Sequence, residues 1–123
     1  MITLDDIREC AFALPEVEEK SHFNRPGFRV RDKLIVSVHL EKGDTYAILG
    51  VSPSEAKAAA ADDPSVYEEV WRNQGEIFVG LRVDLSRVGS ERFRTLLEYA
   101  WRNKAPKRLI AAYDEGRSHR SSR

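Results

Sequence analysis

A single cysteine, Cys10, excludes an internal disulfide framework and any zinc centre built on several thiolates. Its neighbours recur at helical spacing, so it reads as a buried, inert thiol. No apolar run approaches the roughly 18 residues a membrane helix requires. The first residues lack a basic start followed by an apolar stretch, so no secretory signal is expected. Neither sign of charge dominates, since 20 Lys and Arg balance 20 Asp and Glu. A strongly basic nucleic-acid binder, a polybasic membrane protein and an acidic disordered tail are thereby disfavoured. A cytoplasmic protein without membrane contact is the expectation. The seven glycines are dispersed, so there is neither a P-loop nor a dinucleotide fingerprint. No Gly-x-Ser-x-Gly elbow surrounds Ser37, Ser52, Ser54 or Ser90. His22, His39 and His119 lack a partner at metal-binding spacing. No metal, cofactor or catalytic constellation is expected. That leans against an enzyme without excluding one, because sites assemble from distant residues.

What is present suits one domain over residues 1–115 and a flexible basic tail over 116–123. Thr3 is a good N-cap for a helix carrying Leu4, Ile7, Ala11 and Leu14 on one face, and Pro15 closes it. The acidic stretch 16–19 reads as a loop. Strands are predicted over residues 23–31, interrupted by Pro26-Gly27, and over 34–40 and 45–51. In the second of these, Leu34, Val36, Val38 and Leu40 share one face, while His39 points outward. Asp32-Lys33 and Lys42-Gly43-Asp44 are the turns, so an antiparallel meander follows. Ser52 and Pro53 start a helix that runs through the alanines 58–61. Pro64 opens a second short helix reaching Trp71. Residues 77–85 alternate as a long strand, with Phe78 on its polar side. Ser90 caps a helix with the stripe Phe93, Leu96, Leu97, Ala100 and Trp101, ended or kinked at Pro106, and a short helix follows to Tyr113. The order is α+β: an N-terminal helix, an antiparallel sheet of about four to five strands, and helices packed on one face.

Zero net charge conceals a gradient. Residues 1–20 carry six acids and two bases, whereas 21–40 carry four bases and one acid, and 101–123 carry seven bases and two acids. If the basic segments meet in the fold, they form a local patch of the kind that phosphate contacts need. Arg29 and Arg31 alternate with Phe28 and Val30, so two guanidinium forks spaced two apart would grip consecutive phosphates or carboxylates. The candidate nucleic-acid-binding residues are Arg25, Arg29, Arg31 and Lys33, with Lys104, Lys107 and Arg108 as a second contact. The alternative is a cleft between sheet and helices for a small molecule or protein partner. Phe28, Trp71 and Phe78 would line it, with His22 or Arg29 at its mouth.

Leu14-Pro15-Glu16-Val17-Glu18-Glu19, then Pro26-Gly27-Phe28-Arg29-Val30 and Lys33-Leu34, resemble the start of the MmcQ/YjbR family. Val83-Asp84-Leu85, the Leu96-Leu97 helix, and Trp101-Arg102 through Ala105-Pro106-Lys107-Arg108 resemble its end. The resemblance spans about residues 3–113. It implies a small bacterial YjbR-like α+β domain with a double-wing arrangement, of the sort associated with DNA binding. A monomer or weak dimer is the separate expectation for its assembly. It defines no catalytic residue. Arg29, Lys107 and Arg108 fall on its basic positions, whereas Ser21-His22-Phe23-Asn24 departs from its pattern.

Overall fold

The structure is a computed structural model and describes residues 1–41 and 43–121, with side chains as far as Gly116. Its elements run α1 (Leu4–Phe12), β1 (Val17–His22), β2 (Arg25–Val30), β3 (Lys33–His39), β4 (Tyr46–Leu49), α2 (Pro53–Asp62), β5 (Tyr67–Arg72), β6 (Ile77–Asp84), α3 (Ser90–Lys104) and α4 (Lys107–Ser121). All six strands join one antiparallel sheet in the order β1-β2-β3-β4-β6-β5. Among the described residues no helix is long and apolar enough to cross a membrane.

Local chemistry explains the helix starts. Thr3 Oγ1 accepts from the Asp6 N–H at 3.1 Å, and Asp6 Oδ2 accepts from the Thr3 N–H at 2.9 Å. Ser52 and Glu55 repeat this reciprocal cap ahead of Pro53. Ser90 is not the cap expected of it: it is the first helical residue, and Gly89 precedes it without a side-chain cap.

Two segments take other forms than their composition suggests. The acidic stretch expected as a loop is β1, an edge strand with few apolar contacts. It is fixed from outside, by pairing with β2 and by the Arg8 guanidinium, which grips both Glu19 carboxylate oxygens at 2.9 and 3.0 Å. The segment expected as a short helix is β5, where pairing with β6 along Tyr67–Arg72 overrides weak helical signals. The sheet therefore has six strands rather than four or five. The terminal helix also runs past Tyr113 to Ser121. Lys42 of the predicted hairpin turn, and tail residues 122 and 123, lie outside the described residues.

The helices cover one face of the sheet. α3 packs on β3 and β4, α2 on β5 and β6, and α1 against α3 and β1. Phe28, Val36, Val38, Leu49, Leu81 and Val83 from the sheet meet Phe93, Leu97 and Trp101 from α3 in one buried cluster. Cys10 is half-buried against that core.

Two β-bulges decide what reaches the other face. Phe28 pairs with Val36 but Arg29 pairs with Leu34, so Ile35 is an extra residue. Ile35 and Val36 are both fully buried, and Leu34 leaves the face it was expected to share with Val36. Its Cδ1 lies 3.3 Å from where a Cβ on Gly27 would stand. In β6, Val79 is the extra residue between the pairs Val70–Gly80 and Trp71–Phe78. Gly80 is required there, because a Cβ would approach the Leu49 carbonyl oxygen to 2.5 Å. Phe78 consequently packs toward the core rather than on the polar side.

Candidate anion-binding site

The helix-free face carries a register-aligned row of Gly27, Ser37, Ile48, Arg82 and Glu68, and beside it His39, Tyr46 and Asp84. Tyr46 is stacked on His39 with ring centroids 4.5 Å apart and planes 9° apart. The Arg82 guanidinium lies 3.9 Å from the Tyr46 ring centroid, a cation–π contact from the neighbouring strand. His39 Nε2 is 3.1 Å from the hydroxyl of Ser37, so the buried hydroxyl is satisfied within the row.

At one end of this face a cavity of about 610 Å³ opens between the sheet and the C-terminal turn of α3. Arg25, Lys33 and Lys104 line it together with His22, His39 and Ser37. The α3 terminus is anchored there by Asn103, whose Nδ2 donates to the Gly50 carbonyl at 2.8 Å. Gly50 has no side chain to displace Lys104, whose Cε would stand 2.8 Å from a Cβ at that position. Arg29 joins the cluster through His22: its Nη2 donates to His22 Nδ1 at 3.1 Å, and its Nη1 donates to the Asp32 carbonyl at 3.1 Å.

The cations differ in what neutralises them. Arg8, Arg82, Arg87 and Arg102 each pair with a carboxylate. Within the cluster, Arg25 Nε lies 2.6 Å from Glu41. Arg29, Lys33 and Lys104 have no carboxylate partner among the described residues. Lys33 and Lys104 thus bring to the cavity charge that no ion pair among the described residues offsets, and Arg29 stands at its edge beside His22.

Burial and the neighbouring arginines both act on the histidines. Burial, then the charges of Arg29 and Arg25, hold the His22 imidazole below its ordinary pKa. His39 is lowered chiefly by burial and then by Arg25, with Glu41 and Asp44 opposing and Arg82 adding a smaller depression. A depressed imidazole binds its proton first in the unfolded chain. Stability is therefore fully present above the ordinary histidine value of about 6.5 and falls as pH drops through it and through the folded values beneath. The melting temperature is expected to fall between about pH 7.5 and 5, and His22→Gln with His39→Gln should flatten that fall. A wild-type melting temperature constant over the range contradicts the neutral-imidazole assignment.

The site predicted from sequence is assembled only in part. Arg25, Lys33 and Lys104 line one cavity with His22, and Arg29 reaches its edge through His22. Arg31 does not join them: it sits in the β2–β3 turn at φ 48°, and its guanidinium is held by both Glu16 oxygens. The two-apart fork of Arg29 and Arg31 on one strand face is therefore absent. Lys107 and Arg108 are exposed at the start of α4 and do not line the cavity. The alternative cleft is not formed as drawn. Phe28 is fully buried in the core, and Trp71 and Phe78 contact each other edge-on across the β5–β6 pair instead of facing His22. Sequence reading missed Ser37, His39 and Phe23 as cavity residues. The register of three strands and the bulge at Ile35 bring them there, and no local motif signals it.

An α+β domain with helices packed on one face of a six-stranded antiparallel sheet is the class these features define. The chain belongs to the YjbR family, whose model matches residues 12–103. It is similar in structure to Deinococcus radiodurans protein DR2400, a protein with a DUF419 domain. The TM-score is 0.68 at 19% identity, over 82% of this chain and 77% of that one. At that identity the likeness speaks for the fold alone. Among curated proteins, none is significantly similar in sequence.

Proposed function

We propose that this YjbR-family protein is a nucleic-acid-binding module that receives backbone phosphates in the cavity on the helix-free face. The observation that carries the reading is the charge of Lys33 and Lys104 in the cavity and of Arg29 at its edge, none with a carboxylate partner among the described residues, beside the partly neutralised Arg25. Such a local patch attracts phosphates whatever the net charge of the chain. Arg29 offers a planar fork, while the two lysines offer mobile point charges. Ser37 and His39 add polar atoms to the floor.

The test is anisotropy of a short labelled DNA, presented as a duplex and as its separated strand, at about 50 and 200 mM salt. Three phosphate contacts predict a loss of affinity of about 40-fold on a duplex, or about 20-fold on a single strand, between those salts. Lys33→Ala with Lys104→Ala should weaken binding by about ten-fold or more at low salt and remove most of the salt dependence. Arg31→Ala should change binding far less than the lysine double variant, because Arg31 lies in the β2–β3 turn outside the cavity. Equal binding by the wild type and the lysine double variant would overturn the reading.

A further inference from the structure

We infer that Phe23 is a stacking platform for an unpaired base, so that the cavity takes a single-stranded nucleic acid in preference to a duplex. The inference rests on the phosphate-binding reading and adds the strandedness of the ligand.

Phe23 is 81% exposed, more than any other large hydrophobic residue described. It occupies the two-residue turn between β1 and β2, which is closed by the His22–Arg25 pair. Phe23 and Asn24 have φ of 51° and 62°, the left-handed pair of a hairpin turn that favours Asn, Asp and Gly. Asn24 conforms. Phe23 does not, since a bulky side chain is strained in that region. Nor does the ring recover the cost by burial. Its ring contact is with His22, at 4.6 Å and 70°, an edge-on arrangement that leaves a face of Phe23 bare. A strained, solvated aromatic at this point is unfavourable for the free protein, and such residues gather at binding sites.

Its position supplies the reason. Phe23 lines the same cavity as Arg25, Lys33 and Lys104. A cationic groove with an aromatic platform beside it is the recurring arrangement for single strands, whose bases are free to stack while their phosphates track the charge. A duplex keeps its base faces covered and offers this ring nothing. An anionic bilayer would also attract an exposed phenyl group and cations. Here, however, the cations line a concavity, which a flat headgroup surface does not enter.

The experiment compares a labelled single-stranded DNA with the duplex made from it, and with vesicles of anionic phospholipid, at one salt concentration. The wild type should bind the single strand about ten-fold tighter than the duplex. Phe23→Ala should lose about ten-fold on the single strand and nothing on the duplex, and Phe23→Trp should retain the affinity. Phe23→Asn, which restores a favoured turn residue, should raise the melting temperature while lowering single-strand affinity. A merely structural Phe23 would not produce that opposition. Equal affinity for both DNA forms, or an unchanged Phe23→Ala in a background where the lysine double variant weakens binding, overturns the stacking and leaves the phosphate site standing. Failure of every oligonucleotide to bind at low salt overturns both. Phe23-dependent vesicle binding without single-strand binding overturns the inference in favour of a membrane surface.

Discussion

Trp101→Ala is expected to destabilise the protein by about 3–5 kcal/mol, read as a lowered urea midpoint at unchanged slope. Trp101 is fully buried and is the largest side chain in the core. Its ring stands edge-on to Tyr113, with centroids 5.1 Å apart, and so ties α3 to α4. Its indole N–H donates to the Pro15 carbonyl at 3.0 Å, across 86 residues of sequence, where the chain leaves α1 for the edge strand. Truncation removes all three at once: apolar burial, an aromatic pair and the partner of a carbonyl. Domains of this size have only about 5–15 kcal/mol to lose, so a large fraction of the folding free energy is at stake. Trp101→Phe should recover most of the packing but not the hydrogen bond, and should fall between wild type and Trp101→Ala. A midpoint shift equivalent to less than about 1 kcal/mol for the alanine variant contradicts this account.

The second large effect concerns Phe28. Phe28→Ala should cost about 3–5 kcal/mol and leave intrinsic binding at the cavity unchanged under conditions where the variant is folded. The ring is fully buried, and its edge-on partner is Phe12 at 5.7 Å. It stands on the helix side of β2, directly across from Val36. A residue lining a ligand cleft would behave in the opposite way, altering binding with little loss of stability. Denaturant unfolding and DNA anisotropy on the same variant separate the two. Lost affinity with an unaltered urea midpoint would return Phe28 to a binding role.

These two residues also mark how far the sequence could be read. Trp101 was legible as core, because Phe93, Leu96, Leu97, Ala100 and Trp101 repeat at helical spacing and a helix has one period to obey. Phe28 was ambiguous, since strand alternation says that it faces away from Arg29 but not which side the helices cover. The bulges added a further difficulty. An extra residue at Ile35 or Val79 reverses every inference of face beyond it, and it arises from pairing between strands rather than from a local signal. Arg31 illustrates the electrostatic version. Its charge was countable, but its neutralisation by Glu16 depends on β1 lying beside β2.

By itself the sequence determined the α+β class, the capped helices at Thr3 and Ser52, the apolar stripe of α3, the resemblance to the YjbR family, and the presence of basic segments in a chain of zero net charge. Each of these depends on spacing within one element or on composition, which local chemistry fixes. Tertiary structure alone decided that residues 17–22 and 67–72 are strands, that Phe28 is core, and that Lys104 of α3 and Lys33 of β3 line one cavity. Among the described residues it also gave Arg29, Lys33 and Lys104 no carboxylate partner while pairing Arg31 with Glu16. Edge strands, bulges and ion pairs take their free energy from partners distant in sequence, so their outcome is set only when the sheet has assembled.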